Sequence, residues 1–393
     1  MRIGFLFNHD QVHQVAHSLP IAMALASSGL GHDIVIATTN PRLKAAVGRL
    51  TRGFGHKIEH VELGLESKTS RWLSGALEHV VPATKILVYR DNLDFFRSLD
   101  ILVVAEKTSL ILKTRYGLED LKIVHTRHGA GDRAIGFDKA SAGFDHVLAS
   151  GAKIRDRLIK DAGLPPSKVS VVGYPKFDLS RKDDAPFFGN GRPTVLYNPH
   201  VSPHLSSWYK AGRQVLDFFL RNDDFNLIFA PHVMLFERPF SVSIDRLRID
   251  RAGRIDPRFL RAPNIHIDLG SLASTDMTYS NAADIYLGDV SSQIYEFLRR
   301  PRPCLFLNTH GVHYREDRNY AHWQSGPVIE DAGRLGDALA DAMATHDQYL
   351  PVQRALFDMS FDLTAEPSAD RAARAILALV NAEAEAPQWR AVA

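Results

Sequence analysis

Cysteine is almost missing from this chain of 393 residues, where Cys304 stands alone. One thiol cannot form an internal disulfide, so the chain suits a reducing compartment. Cys304 lies in the apolar run Pro303-Cys304-Leu305-Phe306-Leu307, where a buried strand thiol is expected rather than a nucleophile. Excess charge of either sign is also missing. The net charge of +2 excludes the strong basic balance of a dedicated nucleic-acid binder. No apolar run approaches the ~18–20 residues needed to cross a bilayer. The apolar opening, residues 1–8, is too short for a signal peptide and reads as a strand. A cytoplasmic protein is expected, and a local basic patch leaves room for a peripheral place on the inner face of the cell membrane.

Metal spacing is equally sparse, although there are 18 histidines. His9, His13 and His17 are four apart, which would align them on a helix. However, His9 directly follows the first strand pattern, and neither a His-Glu-x-x-His motif nor a cysteine partner accompanies them. No metal and no cofactor are expected, with any divalent-cation requirement left open.

What is present is a repeated alternation of strand and helix. Hydrophobic content of 45% and charged content of 23% are ordinary globular values, and the length suits two or three domains. Residues 2–8 read as a buried strand, 15–26 as a small-residue helix weakened by Pro20, and 32–39 as the next strand. This βαβ opening implies a parallel sheet covered on both faces. Residues 70–98 read as a long helical region. Strands are expected at 100–105, 121–125, 146–150 and 169–172. Residues 180–193 then turn charged and rich in Gly and Pro, as an interdomain linker does. The pattern restarts with strands at 194–197, 226–230, 265–268, 285–287 and 303–308, and helices at 208–221, 271–282, 292–300, 335–345 and 369–384. Residues 237–261 read as basic and irregular, and their arginines could face anionic lipid or, more simply, water. The expected organisation is an acceptor domain over 1–180, a linker over 181–193, a donor domain over 194–365, and an amphipathic C-terminal helix and tail over 366–393.

The stretch 284–297 carries the sharpest chemical signal. An apolar strand ends at Gly288, and Asp289, Val290, Ser291 and Ser292 lead directly into a helical pattern. A strand that breaks into a helix behind small polar residues makes an anion site, because the first-turn N–H groups lack partners and the dipole favours negative charge. A Ser-capped core helix would look the same.

Four motifs in order widen that reading. His128-Gly129 follows an apolar strand. Gly173-Tyr174-Pro175-Lys176-Phe177-Asp178 resembles a Gly-Tyr-Pro-(Arg/Lys)-x-Asp motif. Pro231-His232 ends the strand 227–230. Asp289-Val290-Ser291-Ser292, followed by Glu296, resembles an Asp-Tyr-Ser-Ser motif with a later acidic residue. Tyr314-Arg315-Glu316 and Gly326 follow in register. Over roughly residues 120–330 the chain resembles the CDP-glycerol glycerophosphotransferase family of teichoic-acid-type polymerases and primases. The resemblance implies an α/β protein of GT-B-like fold, with two Rossmann-like domains whose parallel sheets face across a cleft. It departs from the family at Ala130 and its neighbours, at His200 in place of Thr, and at Val290 in place of Tyr.

The resemblance assigns His128 as general base, a role suited to an imidazole near neutrality, and His232 as a contact to the donor diphosphate. Gly129, Asp289, Ser291, Ser292 and Glu296 become donor-binding candidates. Ser291 and Ser292 would offer hydroxyls and N–H groups, Glu296 would accept from ribose hydroxyls or else sit on a solvated helix face, and Asp289 would orient a histidine or fix the loop. His13, Arg127 and Arg133 are acceptor candidates, the arginines through charge-assisted bonds to phosphate. Lys176 and Asp178 read as structural. The implied reaction moves glycerol phosphate, or a related polyol phosphate, from a CDP-linked donor to a glycan or lipid-linked hydroxyl. Glycosyl transfer from a nucleotide sugar, with His13 or His17 as base, is the alternative, and a sugar-nucleotide epimerase is the third. Nucleic acid is not an expected partner.

Overall fold

The structure, a computed structural model, describes residues 1–9, 12–54, 57–67, 69–70, 72, 83–127, 129–133, 136–179, 186–237, 240–243 and 248–385. It divides into two compact units. The first holds Met1–His128, Ile135–Leu179 and Ser360–Ala393, and the second holds Gly129–Ala134 and Ser180–Met359.

The first unit is built on a seven-stranded, wholly parallel sheet. Its strands are β1 (Arg2–Phe7), β2 (Asp33–Thr38), β3 (Ile58–Glu62), β4 (Ile101–Val104), β5 (Lys122–Thr126), β6 (His146–Ala149) and β7 (Val169–Val171), in the order β3-β2-β1-β4-β5-β6-β7. The central strands are apolar on both faces because both are covered. On one face, Leu19, Ala22 and Leu25 of helix Val15–Ser27 pack with Ala372 and Ile376 of the C-terminal helix Ser368–Glu385. On the other, Tyr89, Phe96, Phe144 and Ile154 close the core. Pro20 sits buried inside helix Val15–Ser27, and the positive-φ residues Gly29 and Gly31 follow its end.

The Gly173–Asp178 motif anchors the C-terminal helix. The Asp178 carboxylate accepts from the N–H groups of Ser368 and Ala369, at 3.3 and 2.7 Å, and so caps its first turn. Ser368 Oγ accepts from Tyr174 N–H at 2.9 Å. Gly173 has φ of 82°, and a Cβ there would lie 2.4 Å from Ser368 Oγ. This motif therefore has a structural task, as read from the sequence, although its partner is the helix nearly two hundred residues later (|i−j| of 190 and 191).

The second unit carries a six-stranded parallel sheet of β8 (Thr194–Asn198), β9 (Asn226–Phe229), β12 (Ile265–Ile267), β13 (Ile285–Gly288), β14 (Cys304–Leu307) and β15 (Val328–Ile329), ordered β12-β9-β8-β13-β14-β15. An antiparallel hairpin of β10 (Ser241–Ser243) and β11 (Arg248–Asp250) and the short helix Pro257–Leu260 occupy part of the stretch read as irregular. Cys304 is buried, and burial pushes its thiol up to about 12, so it is an inert strand thiol.

Several helices differ from expectation for local reasons. The helix read at 271–282 is split into Leu272–Ser274 and Thr278–Ala282, because Met277 adopts a left-handed φ of 75°. The helix read at 292–300 spans only Gln293–Phe297. Pro301 disfavours helical backbone at Arg300, and the Arg302 guanidinium donates to the carbonyls of Ser280, Ala283 and Phe297, holding the chain turned. Helix His346–Ser360, with Pro351 inside it, had no clear periodic signature. The long region at 70–98 contains Ala83–Asp91 and Leu93–Arg97, broken at Asn92, with 71 and 73–82 outside the described residues.

The anchoring role of the Gly173–Asp178 motif has a direct test. Asp178→Ala should lower unfolding stability by about 1–2 kcal/mol through loss of the cap, while nucleotide affinity stays at the wild-type value. Denaturant unfolding and calorimetry measure the two, and a loss of affinity without loss of stability would contradict the structural assignment.

Candidate nucleotide site

The order of the second sheet reverses between β8 and β13. From β8 the chain moves outward through β9 and β12, and from β13 through β14 and β15 on the other side. Open α/β sheets bind ligands at the carboxyl ends of strands beside such a reversal. The expected stretch 284–297 starts there, with β13 paired to β8 at Gly288↔Asn198. Gly288 is required by a close approach, since a Cβ would fall 2.5 Å from the Tyr286 ring.

Asp289 follows at once and is 1% exposed. Its Oδ1 accepts from His200 N–H at 2.9 Å and from its neighbour Val290 N–H at 2.6 Å. Its Oδ2 accepts from Ser207 N–H at 2.6 Å and Ser207 Oγ at 2.8 Å. The Ser207 hydroxyl in turn lies 2.8 Å from Tyr197 Oη. The main-chain carbonyl of Asp289 accepts from His322 Nε2 at 2.9 Å and Trp323 Nε1 at 2.6 Å. Burial pushes the carboxyl up, and the Ser207, His200 and Val290 donors oppose that push. The carboxylate is thus turned toward the protein and fixes the loops after β8 and β13.

Those loops present two imidazoles. His200 follows β8, and its Nδ1 accepts from Ser202 N–H at 2.9 Å. His232 follows β9, and its Nδ1 accepts from Met234 N–H at 3.3 Å. The same local bond, residue i to N–H of i+2, occurs at both rings; it leaves Nε2 of His232 carrying the proton, whereas Nε2 of His200 faces the donor-only guanidinium of Arg133. The ring centroids are 5.8 Å apart. Burial, followed by His232, Arg133, His204 and His322, holds His200 well below the ordinary imidazole range, and burial lowers His232 to about 4. Both rings are therefore neutral near pH 7, and His232 offers an N–H donor at Nε2. Arg133 Nη1 lies 3.5 Å from His200 Nε2 and adds positive charge beside them.

The segment 129–133 completes the cluster. Gly129 has φ of 77°, and a Cβ there would stand 3.4 Å from Ser292 Oγ, while one on Gly131 would stand 3.2 Å from Ser292 Cβ. Glycine at both positions lets this segment lie directly on Ser292. Ser291 is buried and Ser292 exposed, with Ser291 Oγ accepting from Gln293 N–H at 3.4 Å. The Ser292 side chain makes no cap bond. Glu296 is buried at 7% exposure, so it does not occupy a solvated helix face.

The structure therefore gathers His232, Arg133, Gly129, Ser292 and Asp289 around the ends of β8 and β13. His128 lies outside the described residues, and the His13 side chain does too, its backbone belonging to the short 3-10 helix Val12–Gln14. Arg127 lies in the first unit. Its guanidinium donates to the Gly136 carbonyl and covers the Phe137 ring at 4.2 Å, and burial, then Arg157, lowers it to about 10. That geometry commits it to the fold. His200, Ser207, His322 and Trp323 were not singled out as site residues. His200 had a signal in the sequence, since it stands where the resembled motif has Thr. Among the described residues, no group of three or more His, Cys, Asp or Glu side chains could hold a metal ion, and no helix is long and apolar enough to cross a membrane.

Two wholly parallel α/β sheets in one chain, the second carrying a polar site at its strand reversal, define a GT-B-like protein. Among solved structures with this fold, the wall teichoic acid polymerase TagF aligns over 98% of this chain and 90% of its own, with a TM-score of 0.63 and 14% identity, and a TagF variant soaked with CDPG aligns equally. The UDP-GlcNAc 2-epimerase from Neisseria meningitidis bound to UDP-GlcNAc aligns over 97% of this chain and 100% of its own, with a TM-score of 0.57 and 12% identity. A putative UDP-N-acetylglucosamine 2-epimerase from Listeria monocytogenes gives 0.56 and 13%, over 98% and 96%. At these identities the likeness establishes the fold. No protein-family model and no curated protein matches the chain.

The neutrality of His232 sets a pH dependence. Folded, it takes a proton near 4; unfolded, near 6.5. The unfolded chain binds more protons between those values, so the His232 contribution is complete above pH 6.5 and is lost as pH falls toward 4. From pH 7.5 to 5 that loss is about 2 kcal/mol. Denaturant unfolding at both pH values should show His232→Gln losing less stability than wild type over this range, and equal losses would contradict a neutral His232.

Proposed function

We propose that the chain is a transferase that binds a nucleotide diphosphate at the ends of β8, β9 and β13. The observation that carries this reading is the pair of neutral imidazoles, His200 and His232, 5.8 Å apart, with Arg133 beside them. The His232 N–H and one guanidinium stabilise phosphate oxygens at fixed positions, as phosphoryl transfer requires of its protein. In this reading Ser291 and Ser292 donate to the diphosphate, Gly129 allows close backbone approach, and Glu296 takes ribose hydroxyls. Asp289 acts through the loops that it fixes and keeps its negative charge turned from the phosphates.

The favoured donor is CDP-glycerol or a related CDP-polyol, and the acceptor is a glycan or lipid-linked hydroxyl, with His128 as general base. The ordered motifs at 128–129, 173–178, 231–232 and 289–296 support that choice, as does the fold shared with TagF. Of the acceptor candidates, Arg133 stands beside His200 and could also hold acceptor phosphate. A cytoplasmic protein working at the inner membrane face fits such an acceptor. A second reading, chemistry on a UDP-sugar, draws on the fold shared with an epimerase that binds UDP-GlcNAc.

Calorimetric titration with CDP-glycerol, CDP, CMP and UDP-GlcNAc separates the readings. CDP and CDP-glycerol should bind at least about tenfold more tightly than CMP, and His232→Ala should remove most of that difference, since it deletes a donor to the β-phosphate. Binding of UDP-GlcNAc alone would overturn the CDP assignment, and a His232→Ala variant with wild-type affinity would overturn the diphosphate site.

A further inference from the structure

Asp132 is a carboxylate in an irregular segment, yet it is only 4% exposed. Tyr295, three residues beyond Ser292, shares its one hydroxyl proton between the two carboxylate oxygens, with Oη 2.7 and 2.6 Å from them. His322 adds its Nδ1 at 2.8 Å and its main-chain N–H at 3.3 Å. The other ring nitrogen of His322 lies 2.9 Å from the Asp289 carbonyl oxygen. Both ring nitrogens of His322 thus face acceptor groups, one on Asp132 and one on Asp289, and the ring ties the two residues together.

A buried carboxyl group is costly to desolvate unless it is hydrogen-bonded, and removing its partners leaves it unsatisfied. Here it joins three separate segments: 129–133, the turn after β13, and the 3-10 segment Arg318–Ser325. The first of these contains two glycines and no regular structure, so it would sample many conformations if it were not held. Held, it sets Gly129 and Gly131 on Ser292 and Arg133 beside His200. It also follows His128 directly in the chain.

We infer that Asp132 is a positioning residue: through Tyr295 and His322 it seats the 129–133 segment on the nucleotide site, and this seating governs the transfer step more than nucleotide affinity. The second half of the inference rests on the phosphotransfer reading above, and the first half does not. Ser291, Ser292 and His232 lie outside the segment and still hold nucleotide when the seat is lost, only somewhat more weakly for the displaced Arg133 and Gly129. The residues that follow the proposed base are what move.

The test compares wild type with Asp132→Asn and Tyr295→Phe. Asparagine keeps the shape of Asp132 and removes its charge; phenylalanine keeps the ring packing and removes the shared hydroxyl bond. In hydrogen exchange, the amides of 129–133 should lose at least about tenfold protection in each variant, while those of 293–297 keep theirs. By calorimetry, CDP should still bind at one site per chain, with Kd raised less than about fivefold, while kcat with CDP-glycerol falls about 30-fold or more. The preserved stoichiometry separates this from a loss of folded protein. Unchanged protection at 129–133 overturns the seating, and lost protection with wild-type kcat overturns its role in transfer. If wild type binds no CDP, the function proposed above fails, and the exchange comparison still decides the seating. Should Asp132→Asn fail to fold, Tyr295→Phe supplies the same outcomes.

Discussion

The second unit depends on how one buried carboxylate is satisfied. Asp289 is taken almost wholly out of water, which is costly for a charged group unless it gains strong hydrogen bonds. Three main-chain N–H groups and one hydroxyl supply them. Those donors belong to the ends of different elements, so meeting the need of one side chain fixes the loop after β8 relative to the loop after β13. The carbonyl of the same residue accepts from His322 and Trp323 and draws in a third segment. Asp289 thus contributes to the site without facing it. A carboxylate next to a diphosphate would repel it, and here the negative charge is used up behind the loops.

The histidines show how burial and local bonding assign different tasks to one residue type. His200 and His232 each accept a backbone N–H at Nδ1, and burial keeps both uncharged. His322 meets acceptor groups at both nitrogens and ties Asp132 to the Asp289 carbonyl. Near a phosphate, neutral N–H donors give directed bonds whose strength does not vary with proton uptake around neutrality. Positive charge in the cluster then comes from the Arg133 guanidinium beside His200.

Much of this was legible in the sequence where the signal is local. The apolar run ending at Gly288, the small polar residues after it and the Pro231-His232 strand end all declare themselves within a few positions. The alternation of strands and helices gave the α/β class, because strands covered on both faces are apolar throughout. What the sequence hid is long-range. His200 meets Asp289 across 89 residues, Tyr295 meets Asp132 across 163, and His322 meets Asp132 across 190. No periodicity reports such pairs. Glu296 read equally well as a solvated residue because its helix is only five residues long, too short for a face to show. Helix His346–Ser360 was hidden by Pro351, and the return of the chain to the first unit at Ser360 has no shift of composition to mark it.

The central claim is that a diphosphate is held at the carboxyl ends of β8, β9 and β13, and the measurement that meets it most directly is a crystal structure of the chain with CDP. The account predicts the β-phosphate within hydrogen-bonding distance of His232 Nε2, with Ser292 and the 129–133 segment beside it and Asp289 making no contact. A diphosphate bound away from these strand ends, or held by the Asp289 carboxylate through a cation, would contradict it.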